Sequence, residues 1–206
     1  RVKDICRTTI TSDIVTSKNH QARSAVCFDA NGFLPLKTGS VDVVVCIDGF
    51  EHLDAQMQFL SETSRVLSAG GWLVLSTPNI VSLDERRRFY LEGVADSLTP
   101  EIREGILPPD PDFYEMHISL IHPLVMELFF KRVGLSVVEY ATNKMSKRFR
   151  HIFQRLPMWL HLLSRRRKYE KQWDRSFPAT LARLNSDPVF LYGNSLIVIA
   201  RKFTAQ

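Results

Sequence analysis

Glycine is missing from the first thirty-one residues of this chain, and Gly32 is the first of only nine in 206. A loop that brings main-chain N–H groups close around a phosphate or nucleoside needs glycine, because a Cβ blocks the approach. No such loop lies upstream of Gly32. Cysteine is also scarce. Cys6, Cys27 and Cys46 are odd in number and scattered, with two in predicted strands. They form neither a disulfide framework nor a metal-binding spacing, and read as small buried hydrophobes in a reducing cytosol. The opening Arg1-Val-Lys-Asp-Ile-Cys-Arg7 has no apolar h-region, so no secretory leader is read there. No apolar run approaches the roughly 18 residues of a membrane-spanning helix. These absences point to a cytoplasmic globular chain, 45% hydrophobic and 24% charged. Its length suits one domain with a full core and an added subdomain.

Charge is unevenly placed. The formal net charge is +5, yet residues 144–175 alone hold eleven Lys/Arg against Glu170 and Asp174, leaving the remainder net acidic. That predicts a local anionic partner and argues against a nucleic-acid-coating protein.

The first half alternates strand and helix. Residues 8–14 and 24–28 are short β-branched or apolar runs, and residues 41–47 form a nearly all-apolar run that predicts a central strand covered on both faces. Asp54 is the predicted N-cap of a helix through Leu67, with Met57, Leu60 and Leu67 on one face and Gly70 as its C-cap. Residues 72–77 read as the next strand. Asp84 is the predicted cap of a helix over 85–94, and Thr99-Pro100-Glu101 is a further helix start, broken by the prolines of 108–112. His122-Pro123 opens a helix through Val133 that ends at Gly134; residues 135–140 and 194–201 read as strands. The pattern predicts βαβ units and a mostly parallel sheet, with ligands at the carboxyl ends of its strands.

Acidic residues fall at those ends: Asp13, Asp29 and Asp48. An ionised carboxylate only accepts hydrogen bonds, which suits ribose hydroxyls or an adenine amine. Each of them taken alone also reads as an ordinary helix or turn cap.

With these residues in place the chain resembles the class I S-adenosylmethionine-dependent methyltransferases of the small-molecule, methyltransferase type 11-like group. The resemblance rests on Asp29-Ala30 with Leu34-Pro35-Leu36, Ser40-Val-Asp42-Val43, Phe50-Glu51-His52-Leu53, Glu62…Arg65-Val-Leu…Gly70-Gly71, Thr77-Pro-Asn79 and His117…Pro123…Gly134-Leu135. It covers residues 9–140 and the last strand. It implies a Rossmann-like α/β fold with an antiparallel last strand, and S-adenosylmethionine as cofactor. It places Asp13 and Ile14 at the ribose, Asp29 and Ala30 at the adenine, and Cys46, Ile47, Asp48 and Gly49 beside the methionine part. The family's first strand and its Gly-x-Gly-x-Gly loop have no counterpart here, which implies the C-terminal portion of a longer protein. A catalytically inactive methyltransferase-like fragment or module, acting through its basic apolar segment, is the alternative.

His117 and His52 are the candidate general bases, since a neutral imidazole accepts a proton near pH 7. His52 also reads as a helix-start histidine bonded to the backbone. Asp48, Glu51 and His52 resemble the Glu-x-x-Glu-His of ubiquinone-pathway O-methyltransferases, where that trio is linked to a divalent metal. Glu-His recurs in relatives without one, and the sequence assigns no metal. The implied acceptor is an O or N nucleophile of a small molecule, sugar or lipid-linked glycan. Residues 1–141 and 192–206 would form the core, with 142–191 a basic helical insertion. That insertion reads as a lid over the site, with contact to an anionic membrane surface as its other reading.

Overall fold

The computed structural model describes residues 8, 10–13, 25–95, 97–98, 117–146, 160 and 182–203. In chain order the elements are β1 (Thr11–Asp13), β2 (Ala25–Cys27), β3 (Val41–Cys46), a 3-10 turn (Phe50–His52), α1 (Gln56–Val66), β4 (Leu67–Pro78), α2 (Leu83–Glu92), α3 (Pro123–Arg132), β5 (Leu135–Ala141), α4 (Pro188–Tyr192) and β6 (Ser195–Lys202). The predicted helix start at 99–101, the proline loop at 108–112 and most of the basic insertion lie outside the described residues.

Four strands form one sheet in the order β3-β4-β6-β5. β3 and β4 are parallel, while β6 runs antiparallel to both of its neighbours. This is the expected arrangement, with the last strand alone reversed. β1 and β2 pair in parallel as a separate sheet, Asp13 opposite Cys27. Among the described residues β3 therefore has a strand on one side only.

That position corrects one expectation. β3 is not covered on both faces: Val43 is 45% exposed, Val45 53% and the following Ile47 56%. The alternation is that of a strand with one face unpacked, and the nearly all-apolar run that suggested a central strand gives no sign of it.

The α1 caps also differ from expectation. The helix starts one residue after Ala55, whose N–H donates to Asn31 Oδ1, so Asp54 is not its N-cap. It ends at Val66 because Leu67 is already extended. Gly70 lies inside β4 at φ 73°, where the ladder with β3 steps from Val41 opposite Leu67 to Val43 opposite Trp72. The glycine supplies the left-handed residue of a strand irregularity, not of a helix cap. In α2 the N-cap is Ser82, accepting from the Glu85 N–H, with Gly93 left-handed at the other end. Ser82 outcompetes Asp84 because Ser with Glu three residues on is the capping-box spacing.

The core lies between the sheet, α1 and α3, where Leu60, Leu73, Leu75, Met126, Phe130 and Val198 are fully buried. Asn79, fully buried just past β4, joins it to α4 and the residue that follows it. Its Nδ2 donates to the carbonyls of Val189, Phe190 and Gly193, and its Oδ1 accepts from the Val81 N–H. The ends of the basic insertion meet through a bridge between Met145 and Gly193, and α4 contributes buried Phe190, Leu191 and Tyr192 to the body.

α3 begins as expected, with Pro123 at N1 and His122 as N-cap, its Nδ1 accepting from the Leu124 N–H. That bond needs a neutral ring. Burial, reinforced by Arg86, holds the His122 imidazole below its ordinary value near 6.5. The unfolded chain then binds more protons than the folded one just below that value. Stability contributed by neutral His122 is full above about pH 6.5 and is lost as the pH falls toward the depressed folded value. Urea midpoints are expected to drop from pH 7 to pH 5, and His122→Asn, a cap that does not titrate, to flatten that drop.

Candidate active site

The site is built at the carboxyl end of β3. The strand ends at Cys46, and Asp48 turns the chain with φ 47°, a left-handed conformation that Asp tolerates better than most residues. Its backbone N–H donates to Ser76 Oγ on β4, and the same hydroxyl donates to Asp48 Oδ1 at 2.7 Å. The neighbouring parallel strand thus fixes the turn. Gly49 follows, and the 3-10 turn puts Phe50 and Glu51 inside and leaves His52 half-buried.

A second segment, residues 117–121, crosses this turn. Ser119 N–H donates to the Glu51 carbonyl, and Gln56 Nε2 bridges the carbonyls of Phe50 and Ser119. These bonds bring together residues 66 positions apart. His117 Nε2 lies 4.0 Å from Glu51 Oε1, and the rings of His52 and His117 meet edge to face at 4.9 Å between centroids. His117 Nδ1 is 2.6 Å from the Ser97 carbonyl oxygen. A carbonyl only accepts, so Nδ1 carries the hydrogen and the Nε2 of a neutral ring holds a lone pair directed at Glu51.

Glu51 is 2% exposed and its Oε2 has no hydrogen-bond partner among the described residues. Burial raises its carboxyl above the ordinary range, against the pull of a backbone hydrogen bond and of His117. Burial, with the negative charges of Glu51 and Asp48, also pushes the Cys46 thiol up to about 12. Cys46 is a free, half-buried cysteine that stays protonated near neutrality, so it packs and does not act as a nucleophile.

Asp29 follows β2 and is exposed; its Oδ1 accepts from the Asn31 N–H and its carbonyl from the Gly32 N–H. Ala30 packs against the core, and Asn31 ties this loop to Ala55 ahead of α1. Asp13 is the last residue of β1, and Ile14 lies outside the described residues. The structure thus gathers Cys46, Asp48, Gly49, Glu51, His52 and His117 at one strand end, with Asp29 and Ala30 at another.

Two groups in this region carried little sequence signal as site residues. Ser76 looks like an ordinary strand serine until its bond to Asp48 is seen. Glu62 and Arg65 form a two-pronged ion pair that also holds the loop between β2 and β3: Arg65 donates to the carbonyls of Leu34 and Leu36, and Glu62 Oε2 accepts from the Leu34 N–H. The pair keeps that loop against α1.

Residues 2–75 match the family described as a methyltransferase domain. Over that stretch the chain is similar to S-adenosylmethionine-dependent methyltransferases. Over 54 residues it is 50% identical to a probable S-adenosylmethionine-dependent methyltransferase of Mycolicibacterium smegmatis, and 46% identical to one of Mycobacterium tuberculosis. Each stretch is 26% of this chain, and spans 21% and 20% of those relatives, about a fifth of their length. Among solved structures, an S-adenosylmethionine-dependent methyltransferase from Archaeoglobus fulgidus matches with a TM-score of 0.54 at 17% identity, covering 94% of this chain and 75% of the other. One from Mesorhizobium loti matches with a TM-score of 0.50 at 14% identity, covering 94% and 79%. These two likenesses show the methyltransferase fold. Among the described residues no helix is long and apolar enough to cross a membrane.

Proposed function

We propose that the whole protein transfers a methyl group from S-adenosylmethionine to an oxygen or nitrogen nucleophile of a small molecule, a sugar or a lipid-linked glycan. The observation that carries this reading is the buried Glu51 beside His117 Nε2, at the strand end where the family's cofactor meets its acceptor. Bound there, the cofactor supplies an electrophilic methyl on a sulfonium, so catalysis is largely alignment of an in-line attack.

The residues present fit the cofactor. The exposed Asp29 has one carboxylate oxygen in its own turn and keeps a second acceptor for a ribose hydroxyl or the adenine amine. The left-handed turn at Asp48, held by Ser76, follows Cys46 and Ile47, and these residues would lie beside the methionine part. Asp13, Ile14, Ala30 and Gly49 complete the proposed contacts. A strand between β1 and β3, ending in a glycine-rich turn, would pair with the open edge of β3 and close the cradle.

His117 would take the acceptor's proton, since its tautomer leaves Nε2 basic and Glu51 stabilises the imidazolium that forms. His52 packs against that ring and limits its rotation. Residues 142–191 would cover the acceptor or rest on an anionic membrane surface. Calorimetric titration of the complete gene product with S-adenosylhomocysteine tests the reading. Binding is expected, with Asp29→Ala weakening it by about 1–2 kcal/mol for a lost charge-assisted bond; no heat at high micromolar ligand would overturn it.

A further inference from the structure

Glu51 and His117 face each other with one carboxylate oxygen of Glu51 left over. The Nδ1 hydrogen of His117 is committed to the Ser97 carbonyl, so a neutral ring turns a lone pair toward Glu51 Oε1 across 4.0 Å. That separation is too long for a hydrogen bond between the two side chains. The second carboxylate oxygen of Glu51 is buried without a partner among the described residues, in a residue only 2% exposed. A buried carboxylate with an unmatched oxygen is costly unless a cation meets it.

The third side chain is His52. One ligand atom from each of Glu51, His52 and His117 lies within 4.8 Å of the others. Bond lengths of about 2.0–2.2 Å for imidazole nitrogen and carboxylate oxygen put the ligands of a tetrahedral ion about 3.4 Å apart. The three atoms therefore need to close by about 1 Å. The Ser97 carbonyl already supplies the outer contact that orients a ligating histidine, by accepting the hydrogen of its other ring nitrogen. Asp48 is not part of the group: its carboxylate is held by Ser76. The cluster thus differs from the Asp48-Glu51-His52 trio suggested by the sequence, and includes a histidine from a distant segment.

We infer that Glu51, His52 and His117 form a binding site for a divalent transition ion such as Zn2+, Mn2+ or Fe2+. Two imidazoles and one carboxylate suit such ions and leave coordination positions open, whereas Mg2+ and Ca2+ favour all-oxygen sites. The binding site stands on its own geometry. Its use rests on the methyl-transfer reading: a hydroxyl acceptor at an open position would be made more acidic by the ion, and the base role of His117 belongs to the protein without it, so His117→Ala lowers activity in either case.

The test uses the complete gene product, stripped with a chelator and titrated with Zn2+ or Mn2+ alone in competition with a chromophoric chelator, without cofactor or acceptor. One ion per chain is expected, with Glu51→Gln and His117→Ala each weakening affinity more than about 100-fold, beyond the effect of an outer-contact change. His122→Asn, outside the cluster, keeps wild-type affinity and shows that the loss is specific to the three ligands. The ion also raises the melting temperature of the wild type but not of Glu51→Gln. Equal affinity in wild type and Glu51→Gln, or no binding below about 100 µM, would overturn the site and leave the pair an imidazolium–carboxylate contact. S-adenosylhomocysteine binding by the stripped protein is measured alongside. Its presence without ion binding sinks the metal site alone, and ion binding without it sinks the methyl-transfer reading alone.

Discussion

Replacing Asn79 by Ala lowers the unfolding free energy by about 3 kcal/mol, and replacing it by Asp lowers it further. Asn79 is fully buried and uses both ends of its amide, donating to three carbonyls and accepting from one N–H. Alanine leaves those carbonyls without their donor in a place water does not reach. Aspartate has nearly the same shape, so packing is preserved, but an ionised carboxylate is acceptor-only and faces three more acceptors. The order wild type, Asn79→Ala, Asn79→Asp in urea midpoints at pH 7 checks this. If Asn79→Asp were as stable as the wild type, the amide would not be the clamp between β4 and the segment leading to β6.

Methyl transfer by His117→Ala is expected to fall by about 10²–10⁴-fold in kcat, the usual range for losing a positioned proton acceptor. Affinity for S-adenosylhomocysteine is expected to stay within about threefold, because His117 lies with Glu51 and His52 and not with Asp29. The contrast matters more than the loss. A histidine that only supports the turn would, on removal, loosen residues 117–121 from the Phe50–His52 turn and weaken cofactor binding as well. Label from methyl-labelled cofactor, followed into polar and lipid fractions of a cell extract, reads the first quantity and also reports the acceptor class. Calorimetry reads the second.

Much of the fold was legible in the chain because its signals are local. His122-Pro123 with Gly134 bounded α3, and the apolar runs at 41–47 and 194–201 marked β3 and β6. The Asp29 and Asp48 turns were legible because an acidic residue after an apolar run is a local pattern. What was hidden depends on partners far along the chain. The pairing of Glu51 with His117 spans 66 positions and is set by Gln56 and Ser119, which carry no motif. The exposure of Val43 and Val45 depends on what lies beside β3, and an all-apolar run reads the same whether or not its second face is covered. Gly70 misled for a related reason. A left-handed glycine serves a helix end and a strand irregularity equally well, and only the step in register against β3 tells them apart.

The most direct measurement is the titration of the complete gene product with S-adenosylhomocysteine. The account predicts one site per chain with a dissociation constant in the micromolar range or tighter, corresponding to at least about 8 kcal/mol. It also predicts that Asp29→Ala weakens that site and His117→Ala does not. An absence of heat up to high micromolar ligand, from a protein with a cooperative melt, would contradict it.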